Sequence, residues 1–63
     1  MSQRFTHAEM AEEIGKLVYG KRTWLDTFAG KRPVHEVETR QRELAVLEQA
    51  EADYRRAAER RVA

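Results

Sequence analysis

Near the middle of the chain, Gly30-Lys31-Arg32-Pro33 interrupts two stretches that otherwise read as helix throughout. Glycine weakens a helix and proline lacks the donor that a helix interior needs, so a break falls here. On either side of it apolar residues recur at helical spacing, which is the layout of an all-α antiparallel two-helix hairpin. The pattern predicts a first helix over about 7–29, a turn over about 30–35 and a second helix over about 36–61.

The first helix has a well-defined start. Thr6 is placed to cap it, Glu9 stands three residues later to complete a capping box, and Phe5 and Met10 have the spacing of a hydrophobic staple. From there Met10, Leu17 and Trp24 recur every seventh residue, Ile14 and Phe28 lie on the adjoining row, and Val18 and Leu25 widen the stripe. Gly15 and Gly20 each lower helix propensity by roughly 1 kcal/mol relative to Ala, so packing has to hold the helix; both also permit close helix approach. Gly30 stands where a left-handed C-terminal cap is wanted, with Lys31 and Arg32 at the negative end of the helix dipole.

In the second half Pro33 suits the connection or the first helical turn, and Val34-His35 read as part of the turn. Val37, Leu44, Leu47, Tyr54, Ala58 and Val62 then share one face. Four pairs are spaced for contact along the surface: Glu36 with Arg40, Glu38 with Arg42, Glu51 with Arg55, and Arg55 with Glu59. Folding back about residue 32 opposes positions whose numbers sum to roughly 64, which sets Phe28 near Val37, Leu17 near Leu47, Ile14 near Ala50 and Met10 near Tyr54.

Composition limits what such a hairpin can be. At 63 residues the chain forms a single domain, too small to bury much surface without a disulfide, a metal or a partner. It has no cysteine, so disulfides and thiolate metal sites are excluded together, in keeping with a reducing cytoplasm. Neither a signal-peptide-like start nor a membrane-length apolar run is present, and the expected location is the cytoplasm. Twelve basic side chains against eleven acidic ones leave a net charge of +1, which gives little long-range attraction to nucleic acid or anionic membrane.

Several residues carry a chemical reading beside a plainer one. Lys21 interrupts the first stripe opposite Glu43 and Leu44; buried, it would be a base or nucleophile, but its methylenes can equally cover Leu and Trp while its ammonium reaches Glu43. Glu51 interrupts the second stripe, either at its edge or as a polar residue that sets register or oligomeric state. His7 and His35 stand too far apart to share a metal in one hairpin, and neither HExxH nor Glu-x-x-His occurs, so no metal, cofactor or catalytic residue is expected. Trp24 lies opposite Arg40, a cation-π geometry, and with Tyr54 has the character of an interface anchor. Arg55, Arg56, Arg60 and Arg61 form the basic concentration, diluted by Glu51, Asp53 and Glu59.

Phe5-Thr6-His7-Ala8-Glu9-Met10, then Phe28-Ala29-Gly30-Lys31, then Leu47-Glu48 and Asp53-Tyr54-Arg55 resemble a set of small uncharacterised helical-hairpin proteins encoded by proteobacterial phages and prophages. The likeness spans most of the chain, through capping, turn and core motifs. It departs at Pro33, where those relatives often carry a Ser cap. The resemblance implies a hairpin acting in the host cytoplasm on a host factor, as a binder or inhibitor.

The leading expectation is therefore a noncatalytic protein-interaction module. Its first stripe is wider than one neighbouring helix covers, so a homodimer forming an antiparallel four-helix bundle is expected, with a host protein as the other possible partner. Leu17, Val18, Trp24, Leu25, Phe28, Leu47 and Tyr54 are its candidate interface. The alternative is an accessory nucleic-acid binder using Arg55, Arg56, Arg60 and Arg61. An enzyme ranks third, since two helices scarcely make a pocket.

Overall fold

The computed structural model describes residues 4–62, with side chains as far as Arg60. It is a hairpin of two helices, α1 over His7–Phe28 and α2 over Val34–Val62, drawn out to 45 × 29 × 16 Å.

The capping box forms as its spacing predicts. The Glu9 amide donates to Thr6 Oγ1 at 3.0 Å, and the Thr6 amide donates to Glu9 Oε1 at 2.8 Å, so two otherwise orphaned donors are satisfied reciprocally. Phe5 and Met10 wall the same shallow depression beside the cap.

The turn differs from expectation. No described glycine has a positive φ, so Gly30 is not a left-handed cap; Ala29 ends α1 in right-handed geometry at φ −54°, ψ −37°. The Phe28 carbonyl instead accepts from Lys31 at 2.8 Å, a tighter i→i+3 bond, and from Arg32 at 3.1 Å at ordinary helical spacing. Pro33 then disfavours continued helix at Arg32, and its own carbonyl accepts from Glu36 at 3.0 Å and Val37 at 3.1 Å. Val34 and His35 consequently belong to α2 and not to the turn.

The seam between the helices is turned one residue from the predicted row. Ala11, Ile14 and Val18 are its buried centre, at 3%, 9% and 4% exposure, and half-buried His7, Lys21 and Leu25 extend it by alternating steps of three and four. Leu17 is 56% exposed, so Met10, Leu17 and Trp24 form a flank and Leu17 is not part of the buried core. Side-chain size explains the rotation. Interaxial distance depends on the residues at the contact, and Ala11 and Val18, with Gly15 beside them, let the axes approach where Met, Leu and Trp would hold them apart. In α2 the corresponding row is Val37, Arg40, Leu44, Leu47, Glu51, Tyr54 and Ala58, all half-buried.

Polar contacts cross on both sides of this seam and fix its register. Lys21 Nζ lies 2.7 Å from Glu43 Oε1, and Arg22 pairs with Glu48. Of the surface pairs expected from spacing, Glu51 with Arg55 forms at 2.7 Å, whereas Glu36 turns back to Arg32 at 3.0 Å and Arg40 forward to Glu43 at 3.3 Å.

Candidate interaction surface

Residues 17, 20 and 24 are separated by three and four, so Leu17, Gly20 and Trp24 share one face of α1 beside the seam, with Leu17 and Gly20 exposed and Trp24 half-buried. Gly20 supplies no side chain there. A Cβ built on it would meet nothing within 4 Å, and the gap forms a shallow notch of about 350 Å³ lined by Lys16, Leu17, Gly20, Lys21, Trp24 and Arg40.

The Trp24 wall of the notch is positioned by packing. The Trp24 ring lies 5.4 Å from Phe28, tilted by 44°, and carries the Arg40 guanidinium 5.2 Å from its centroid. That cation-π contact pins the indole from the α2 side. Arg40 and Lys21 are in turn held by one carboxylate, Glu43, through contacts of 3.3 and 2.7 Å to the same oxygen. The Lys21 hydrogen bond, helped by Arg40, holds the Glu43 carboxyl below the usual carboxylate range. The ammonium of Lys21 is thus committed to an ion pair, the plainer of its two sequence readings.

The other candidate interface residues divide by depth. Val18 is buried inside the hairpin and has no surface to offer a partner, while Leu25 and Leu47 are half-buried in the seam. Phe28 is 38% exposed at the turn end. Tyr54 packs its ring 5.9 Å from that of His7 at the opposite end, with His7 Nδ1 buried and without a hydrogen-bond partner. The structure therefore gathers Leu17, Trp24 and Phe28 on one side and leaves Tyr54 apart. What sequence reading missed is the notch itself, whose signal was a glycine three residues after Leu17 and four before Trp24.

The arginines of the alternative reading are placed differently. Arg55 Nη2 lies 2.7 Å from Glu51, and Arg56 pairs with Asp53. Arg60 is exposed, and the side chain of Arg61 lies outside the described residues. Among the described residues no three His, Asp or Glu side chains gather to hold a metal ion, and no helix is long and apolar enough to cross a membrane.

Comparison with known proteins finds no matching family model, no matching curated protein and no matching solved structure.

Proposed function

We propose that this chain is a noncatalytic protein-interaction module that works through the flank formed by Leu17, Gly20 and Trp24. The observation that carries the reading is Leu17: a large apolar side chain left 56% exposed at the rim of a notch whose other wall is a tryptophan fixed in place. Interfaces are anchored by aromatic side chains held rigid beside a recess, where little conformational entropy remains to be lost. A thin core adds to the argument. No large side chain among the described residues is fully buried, so covering this flank would supply burial that the hairpin lacks.

Self-association is the first form of the reading, and a host protein bound by a phage-encoded chain is the other. Light scattering at tens of micromolar tests it. The wild-type chain is expected to have the mass of two copies and Leu17→Lys the mass of one, with equal helical circular dichroism. A wild-type monomer that folds cooperatively would remove self-association and leave a foreign protein as the occupant.

A further inference from the structure

We propose that two copies pair antiparallel across the Gly20 face of α1, with the two-fold axis at Gly20 and each Trp24 seated against the partner's Leu17. The inference rests on the reading of this flank as a docking surface and names both the occupant and the crossing point.

Symmetry is the first support. In a two-fold interface residue i meets j while j meets i, and an antiparallel crossing at Gly20 opposes positions summing to about 40. Leu17 and Trp24 then meet twice, once on each side of the axis. The empty space over Gly20 lets the two backbones close at that point, since no side chain stands between them. Thr27, seven residues beyond Gly20 and on its side of the helix, donates its hydroxyl to the Thr23 carbonyl at 2.9 Å, so the contact would bury no unpaired hydroxyl there.

Area and charge agree with a second copy. The chain exposes 5365 Å², whereas a compact monomer of 7.4 kDa exposes about 4,200 Å². The surplus of about 1,200 Å², taken over the whole chain, exceeds the roughly 800 Å² per partner of a standard interface. Glu9, Glu12 and Glu13 make the start of α1 acidic, while Lys31 and Arg32 follow its end. Only antiparallel copies set those ends against each other, and a net charge of +1 leaves little repulsion between chains.

Cysteine cross-linking tests the crossing point, because the chain has no cysteine of its own. Bridged cysteines need Cα atoms within about 7 Å, which a crossing at Gly20 provides and a distant face does not. Under mild oxidation at tens of micromolar, Gly20→Cys is expected to become a covalent dimer at least ten times faster than Tyr19→Cys, whose position is 74% exposed on another face. Gly20→Leu, which fills the notch, is expected to weaken the dimer at least tenfold while retaining wild-type helical signal. If the wild type is dimeric but Tyr19→Cys cross-links as fast as Gly20→Cys, or Gly20→Leu dimerises like the wild type, the crossing is elsewhere and the docking reading stands. A wild-type monomer throughout this range overturns the second copy as occupant altogether.

Discussion

Lys21 Nζ and Glu43 Oε1 stand 2.7 Å apart across the hairpin, joining the middle of α1 to the first half of α2 at a point where the seam would otherwise be apolar. The lysine is the more enclosed partner, with 26% of its side chain exposed against 44% for the glutamate. Its stem fills the seam between Val18 and Leu25, and its charge is met at the edge.

This pair makes part of the stability pH-dependent. The folded-state pKa of Glu43 is depressed, chiefly by the Lys21 hydrogen bond, so its contribution is full above the ordinary glutamate value of 4.5 and is lost as pH falls through the folded value. Glu43→Gln should therefore melt below the wild type at pH 7, and the gap should be narrower at pH 3, below the ordinary glutamate value. Chemical denaturation at both pH values reads it; a gap that persists undiminished in acid would show that the carboxylate charge is not its source.

Thr6→Ala should cost about 1 kcal/mol, since the Glu9 amide loses its acceptor and the reciprocal half of the box loses its frame. Thermal melts of the two proteins measure the difference. An unchanged midpoint would mean that α1 starts equally well without the cap.

Truncation separates the seam from the flank. Ile14→Ala should cost about 2–5 kcal/mol because the site is buried, while Leu17→Ala at dilute concentration should cost less than half as much. Denaturant titration at low micromolar concentration makes the comparison; equal losses would place Leu17 back in the core.

The two helical glycines should respond differently to alanine. At Gly20 the added methyl meets nothing, so the monomeric hairpin should gain about 1 kcal/mol from helix propensity. At Gly15 the methyl would come within 2.9 Å of Glu51 Oε2, which must swing aside from its place beside Arg55, so the gain should be smaller. Gly15→Ala in a Glu51→Ala background should recover the difference, as a double-mutant cycle would show.

Local signals were legible in the sequence because their chemistry is local. Thr6 and Glu9 cap each other within one turn, and Pro33 cannot sit inside a helix, so the start of α1 and the position of the break could be read residue by residue. The register was also legible: Trp24 opposite Arg40 and Lys21 opposite Glu43 follow from the turn position alone. Which face of α1 turns inward was not, because hydrophobicity favours the row of Met10, Leu17 and Trp24 while close packing favours Ala11, Ile14 and Val18. Size decided, and size at a contact depends on the partner helix. The geometry of Gly30 was missed for a related reason. A glycine permits a left-handed cap without requiring one, and here the right-handed exit leads directly to Pro33.

The turn that results asks little of its residues. Gly30 has ordinary backbone geometry and no atom within 4 Å of a would-be Cβ, so neither conformation nor space reserves the position for glycine. The helices are matched instead by cross-links such as Lys21 with Glu43 and Arg22 with Glu48, well inside the hairpin. Lengthening the connection then adds only the closure entropy of a longer loop, which rises slowly with its length. The hairpin is in that sense a frame with an open end: a foreign peptide spliced after Gly30 would be displayed from two anchored helix ends, on the tip farthest from the capped start of α1.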